Sequence, residues 1–317
     1  MMNARWVDNL LLRGKRKAFV SRNNRVRSDC AFLELPNALI RYRVVGKGPK
    51  TIVFVPDPPN VIEHYDELAN LLQEEYQVVI LELPGLGFSL PAQLTFDYSL
   101  ASYADITAEF LAQLGFAASV LAFPCVWGYV AIKVAEKHPA LVSGIVTMQA
   151  PAWEQELAWA KRIDRYNIVN KPFWGQLTML LADKWVARKW YEYALPKHKY
   201  EAAFYRLSAA KLQQGGCFCL ASLTQGLFQQ PTQPTFGKLA VPALAIWGDL
   251  DRSHKKSDPD SAAAFFSKAD VHHFDGCGHF PELESPAAFV HVLRQWQAQA
   301  ANEPPVDFTS YPDRSQT

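Results

Sequence analysis

The stretch SVLAFPCVWGYVAIKVAEKHP, residues 119–139, decides the fold. Its first five residues, SVLAF, form a short apolar run with the length and composition of a buried strand. Pro124 and Cys125 follow at once, and the residues after them have the pattern of a helix that ends near His138. A strand that turns tightly into a helix therefore places Cys125 at the junction of the two elements.

Strand-like runs alternate with stretches of helical length on both sides of this junction. The other predicted strands are FLEL near Phe32, LIRYRVV near Leu39, TIVFV (51–55), QVVILE (77–82), GIVTM (144–148), ALAIW (243–247) and VHHF (271–274). The other predicted helices cover residues 62–75, 103–114, 261–267 and 286–299. This alternation predicts an α/β fold with a mostly parallel sheet covered by helices.

The alternation also divides the chain. The core is predicted in two parts, residues 30–150 and 236–300, and the aromatic, helical residues 151–235 form an insertion between them. Residues 1–29 are basic and are predicted to be a solvated leader, with an organelle-targeting segment as the alternative. Residues 301–317 contain three prolines and are predicted to be disordered.

Composition limits the partners that we expect. The chain of 317 residues is 49% hydrophobic and has a formal net charge of +1, so it can bury a large core but has no overall field that attracts nucleic acid or acidic lipid. No apolar run of about 18 residues predicts a membrane span. We therefore expect a cytoplasmic protein that acts on a small molecule, and the sequence leaves the oligomeric state open.

The five cysteines give no sign of a metal or redox motif. Their number is odd, and none form the CxxC pairs of a zinc site. Cys217 and Cys219 could be half of a metal site, but no second pair of ligands with suitable spacing accompanies them. We predict reduced thiols, no metal and no organic cofactor.

Four segments, in this order and spacing, resemble the α/β-hydrolase superfamily over about residues 35–298. They are ELPGLGFS (82–89), LAFPCVWGYVAIKVAEKHP (121–139), IWGDLD (246–251) and FDGCGHFPELESP (274–286). In that superfamily a nucleophile stands on a sharp turn between strand and helix, and the acid and the histidine follow it in the chain. The resemblance implies an α/β-hydrolase fold with an inserted helical lid.

The resemblance also assigns roles to single residues. It gives Cys125 the place of the usual serine nucleophile, Asp251 that of the acid and His279 that of the base. Asp249 competes with Asp251 for the acid, whereas His272 and His273 are interpreted as strand residues. A thiolate paired with an imidazolium would be the reactive form. The alternative is that Cys125 is an ordinary buried cysteine.

Two departures from the family pattern concern the elbow and the oxyanion hole. Phe123 and Trp127 replace the two elbow glycines, although Gly128 follows one place later. After TIVFV, Pro58 falls where the family has a backbone N–H donor, which leaves Val126 as the remaining donor unless a one-residue slip presents Asp57. Loss of one donor costs about 2.7 to 4 kcal/mol of transition-state stabilisation, which favours activated acyl groups such as thioesters.

The insertion is expected to select the substrate. Its aromatic residues line an apolar pocket or pack the inserted helices, and Trp127 is the aromatic residue that we most expect to face the site. The run RSHKK (252–256) is interpreted as a solvated loop, with binding of a substrate carboxylate or phosphate as the alternative.

These observations predict a hydrolase that cleaves an acyl bond, in an ester or a thioester, of a small and largely apolar substrate through Cys125. Two alternatives stay open. One is a non-catalytic protein of the same fold that binds a ligand or partner, and the other is acyltransferase or lyase chemistry on the same triad.

Overall fold

The computed structural model describes residues 4–197 and 201–301 of the chain. Within these residues the main sheet contains nine strands, and a second sheet contains two. In chain order the strands are β1 (Cys30–Glu34), β2 (Ala38–Val45), β3 (Lys50–Phe54), β4 (Tyr76–Leu81), β5 (Leu86–Gly87), β6 (Leu90–Pro91), β7 (Ser119–Pro124), β8 (Val142–Met148), β9 (Cys217–Phe218), β10 (Ala243–Gly248) and β11 (Asp270–Phe274).

The main sheet is mostly parallel. Its strand order is β1-β2-β4-β3-β7-β8-β10-β11, with β6 paired to β2. The pairs from β4 to β11 are parallel, whereas β1, β2 and β6 make antiparallel pairs at one end. The small sheet pairs β5 with β9. The predicted α/β-hydrolase fold with a mostly parallel sheet is confirmed.

Helices flank the sheet. They are α1 (Arg5–Leu12), α2 (Arg16–Val26), α3 (Asp66–Leu72), α4 (Leu100–Gln113), α5 (Val126–Lys137), α6 (Trp153–Ile163), α7 (Trp174–Ala194), α8 (Glu201–Gln213), α9 (Leu220–Phe228), α10 (Pro281–Glu284) and α11 (Pro286–Ala301). The helix predicted over residues 261–267 is instead a 3-10 helix, Pro259–Phe265. Among the described residues, none of these helices is long and apolar enough to cross a membrane.

The centre of the sheet positions the site. All six residues of β7 are buried, and β7 lies between β3 and β8. Parallel strands with helices on both faces are buried on both sides, which explains why these segments are continuous apolar runs. In open α/β sheets, ligands bind beyond the carboxyl ends of such strands. Cys125 follows β7 directly, at that edge.

The expectation of a solvated leader does not hold for α1, although most residues between Arg13 and Arg22 are exposed. Helix α1 packs against the body of the protein with Asp8, Asn9 and Leu12 buried. The Asn9 amide donates to the carbonyls of Leu94 and Phe96, at 2.9 and 3.0 Å. The basic composition of residues 1–29 did not predict these contacts, because α1 buries only a few side chains and two of them are polar.

The segment between β8 and β10 is helical. Between β8 and β10 the chain forms α6, α7, α8 and α9, with the short strand β9 between α8 and α9. Residues 302–317, most of the tail predicted to be disordered, lie outside the described part of the chain.

Candidate active site

Cys125 stands on a sharp elbow between β7 and α5. Its backbone has φ 49° and ψ −130°, a conformation that a residue with a side chain rarely adopts. The Cys125 N–H donates to the carbonyl of Met148 at 2.6 Å. Strain of this kind persists only where the surroundings impose it, and it commonly marks functional sites. The thiol lies at the floor of a cavity.

The elbow forms without its usual glycines because other contacts make room. Gly128 supplies the close approach to β8, since a Cβ there would lie 3.1 Å from Ala150 and 3.2 Å from Thr147. Trp127 turns away and packs edge-on against Tyr103, with ring centroids 5.0 Å apart. Trp127 is not among the described residues that line the cavity, so the expectation that it faces the site is wrong.

The structure brings His279 and Asp251 together. His279 Nδ1 lies 2.7 Å from Asp251 Oδ2, and both side chains are buried. Gln149 Nε2 donates to the same carboxylate oxygen at 2.7 Å, which fixes its orientation. Asp249 instead contacts His273 at 2.8 Å, where both side chains are partly exposed. The geometry favours Asp251 over Asp249 as the acid.

A second carboxyl group lies on the other side of the imidazole. Asp57 Oδ2 is 3.4 Å from His279 Nε2, the nitrogen that would serve Cys125. The neighbouring Pro58 lines the cavity and has no N–H. The Val126 amide, in the first turn of α5, is therefore the remaining backbone donor of the predicted pair.

Burial and charge set the protonation states. Burial opposes the charge on His279, but attraction to Asp251 outweighs it and holds the pKa of His279 well above its usual value. Burial raises the pKa of Cys125 well above its usual value, and the carboxyl groups of Asp57 and Glu156 raise it further. The resting site is a neutral thiol beside an imidazolium, which differs from the expected thiolate and imidazolium pair.

Glu156 is a site residue that the sequence analysis missed. It is fully buried on α6, and Cys125 Sγ lies 3.9 Å from its Oε1. Burial raises the pKa of Glu156 to about 8, so the acid is mostly protonated at neutral pH. The buried face of α6 also carries Trp153 and Trp159. Helical spacing from Trp153 is the signal that could have placed Glu156 on that face.

His254 is a second missed residue, and its burial corrects the interpretation of residues 252–256 as a solvated loop, in which Lys255 and Lys256 are nevertheless exposed. Its side chain is buried between Trp159 and His279, with ring centroids 4.9 and 5.4 Å away. Ligand atoms of Cys125, His254 and His279 lie within 4.8 Å of one another, so these three are the residues that could hold a soft metal ion.

The loop that carries His279 is held by Glu284. The Glu284 carboxylate accepts from Gly278 N at 2.8 and 2.9 Å and from Phe280 N at 3.0 Å. These N–H groups flank His279 and are buried with it. Glu284 therefore fixes the backbone on both sides of the base.

A cavity of about 460 Å³ opens above the thiol. Asp57, Pro58, Cys125 and Val126 form its floor. The aromatic and aliphatic lining from the inserted segment consists of Trp159, Ala160, Ile163, Tyr166, Ile168, Val169, Trp185, Val186, Trp190, Tyr193, Phe218, Leu220, Leu223, Leu227 and Phe228. Polar groups also reach it from Arg162, Asp164, Arg165, Asn170, Thr178, Lys189 and Thr224. Most of this lining is apolar, and a cavity of this kind can bind an apolar ligand.

Comparison with known proteins identifies the class. The model of the alpha/beta hydrolase family matches residues 52–292, and the chain therefore belongs to that family of enzymes. No curated protein matches the chain.

Solved structures with the same fold are distant in sequence. A candidate epoxide hydrolase from Pseudomonas aeruginosa is 18% identical, with a TM-score of 0.69 over 86% of this chain and 96% of that one. A membrane phospholipase A, described as a bacterial virulence factor, is 22% identical, with a TM-score of 0.66 over 94% of each chain. Est816, described as an N-acyl homoserine lactone degrading enzyme, is 17% identical, with a TM-score of 0.66 over 84% and 99%.

Proposed function

We propose that this chain hydrolyses an ester or thioester of a small, largely apolar acyl group, with Cys125 as nucleophile, His279 as base and Asp251 as its supporting acid. One observation carries the proposal. Cys125, in a strained strand-to-helix elbow, has its Sγ within 4.8 Å of a ring nitrogen of His279, and His279 Nδ1 is 2.7 Å from a buried carboxylate. This arrangement of a thiol, a nearby imidazole and an orienting carboxylate supports acyl transfer with Cys125 as nucleophile.

Proton transfer precedes attack. The site reacts in the form in which Asp57 Oδ2, 3.4 Å from His279 Nε2, holds the proton that the two groups share, because only an unprotonated Nε2 can accept the thiol proton. The freed nitrogen then accepts the thiol proton as Cys125 Sγ bonds to the acyl carbon. The Val126 N–H stabilises the oxyanion.

Release completes the cycle. The leaving thiol or alcohol takes the proton from His279 as its bond to the acyl carbon breaks. A water molecule gives a proton to His279 and attacks the acyl carbon, the bond between sulfur and carbon breaks, and Cys125 regains the proton. The proton held by Asp57 then returns to His279 Nε2, which restores the resting site. With Pro58 unable to donate, thioesters should react faster than alkyl esters of the same acyl chain.

The test compares hydrolysis of butyryl thioesters and butyryl esters by the wild type, Cys125→Ala and Cys217→Ala. Cys217 is also buried and does not line the cavity, so it is the matched control. We expect Cys125→Ala to lose turnover and Cys217→Ala to retain it. Mass spectrometry of the wild type should detect an acyl group bound to Cys125. Full turnover by Cys125→Ala would refute the nucleophile.

A further inference from the structure

An exposed apolar face on α7 adjoins the cavity mouth. Trp174, Leu177, Leu181 and Trp185 are 59, 43, 75 and 61% exposed. Their spacing of i, i+3, i+7 and i+11 puts them along one side of a helix. The backbone departs from helical angles at Ala182, so the first three residues define the face and Trp185 extends it beyond the kink.

The face continues into the cavity. Trp185 lines the cavity, and so do Tyr166 and Ile168, which are 75 and 47% exposed. We call these six residues the α7 patch. Scattered single apolar residues on a surface are ordinary, but a contiguous patch beside a cavity marks a surface that contacts something apolar.

Positive charge accompanies the patch. Residues 161–193 contain seven lysines and arginines against three acidic residues, a surplus of four in a chain whose net charge is +1. Lys171 and Arg188 are exposed on this segment and do not line the cavity. Tryptophan and leucine on one side of a helix with basic residues beside them is the pattern of a helix that lies in a membrane interface.

We propose that the α7 patch docks this protein on the surface of an anionic lipid bilayer, with the cavity mouth facing the lipid. Charge complementarity favours this partner, because a surplus of cations repels a second copy of the same surface but attracts acidic headgroups. Docking does not depend on hydrolysis. The further statement, that the acyl substrate is an amphiphile taken from the lipid surface, rests on the proposed function.

The experiment measures co-flotation of the full chain with vesicles of phosphatidylcholine, with and without phosphatidylglycerol. Trp174→Ser/Leu181→Ser removes apolar contacts, and Lys171→Glu/Arg188→Glu reverses charge. Leu71→Ser/Leu94→Ser is the matched control, because these two leucines are exposed elsewhere on the fold. None of the six substituted residues, Lys171, Trp174, Leu181, Arg188, Leu71 and Leu94, lines the cavity.

We expect binding only to the vesicles that contain phosphatidylglycerol. The apolar double variant should lose it, the control should retain it, and the charge variant should weaken it by about fivefold or more for each cation removed. Added salt should weaken it too.

Absent binding, or binding that neither variant reduces, would overturn the proposal, as would a dimer in solution that the apolar variant dissociates. Because Cys125→Ala should bind as the wild type does, loss of turnover and loss of docking are distinguishable.

Discussion

Asp57 and Asp251 contact opposite nitrogens of His279. Asp251 Oδ2 lies 2.7 Å from Nδ1, and Asp57 Oδ2 lies 3.4 Å from Nε2. A base flanked in this way is stabilised in its protonated form, because either carboxylate attracts the imidazolium. Cys125 and Asp57 therefore exchange protons with the same base, His279. The relative proton affinities of these three groups set the pH at which Cys125 reacts.

Asp57→Asn should lower the pH at which Cys125 becomes reactive. The Asp57 carboxylate raises the pKa values of both Cys125 and His279, so its loss favours the thiolate and lowers the affinity of the imidazole for a proton. The pH profile of iodoacetamide labelling, mapped by mass spectrometry, measures the change. A fall of one pH unit in the midpoint gives about tenfold faster labelling below it. An unchanged or higher midpoint would contradict this assignment.

Glu156→Gln should gain stability relative to the wild type as the pH rises. An acid whose pKa is raised by folding contributes its full stability below its unfolded pKa, near 4.5, and loses that contribution as the pH approaches the folded value of about 8. At 1.36 kcal/mol per pH unit, the difference reaches at most about 5 kcal/mol. Urea unfolding at about pH 5 and about pH 8 measures it.

Glu282→Gln is the matched control for that variant. Glu282 is also fully buried, and burial raises its pKa to about 8. Both substitutions should therefore show the same trend in stability. Of these two acids, Glu156 is the one that lies near Cys125 Sγ, so only Glu156→Gln should accelerate labelling of Cys125, above about pH 8, where the Glu156 carboxylate is ionised. A stability difference that does not depend on pH would show that Glu156 is ionised in the folded protein.

Glu284→Ala should destabilise the fold by about 2 to 6 kcal/mol and slow the turnover. The substitution leaves the buried N–H groups of Gly278 and Phe280 without their acceptor, at about 1 to 3 kcal/mol each. Glu74→Ala, on an exposed turn, is the control. Urea unfolding gives the stability. Turnover at a temperature where the variant remains folded shows whether His279 has moved. Wild-type stability together with wild-type turnover would contradict the role of Glu284 in positioning His279.

Asn9→Leu should cost about 2 kcal/mol or more of unfolding free energy. It removes the donor to Leu94 and Phe96 and the acceptor of the Tyr98 hydroxyl, which lies 2.7 Å from Asn9 Oδ1. Leu10→Ser, at an exposed position of the same helix, should change little. Thermal unfolding of both variants decides whether α1 is part of the folded body.

The elbow could be predicted because its signal is local. An apolar run, a turn residue and a helical pattern follow one another within residues 119–139, and the acid and histidine lie in equally recognisable segments. Glu156 and His254 could not be found in the same way. Each reaches Cys125 only through the packing of a distant element, and neither residue type predicts burial from its immediate neighbours.

Charge illustrates the same limit. The net charge of +1 argued against acidic lipid as a partner, yet residues 161–193 carry a surplus of four positive charges beside an exposed apolar face on α7. A sum over the whole chain removes this asymmetry. Burial of α1 was missed for a related reason, since average composition does not report which individual side chains pack inward.

Helix α1 also connects two regions that are distant in sequence. Asn9 binds the loop before α4, and the neighbouring Asp8 accepts a hydrogen bond from Ser222 on α9 at 2.7 Å. Leu223, the next residue of α9, lines the cavity. Helix α1 thus supports one wall of the cavity through α9. A substitution in α1 would change the shape of the cavity without altering any residue that contacts the substrate.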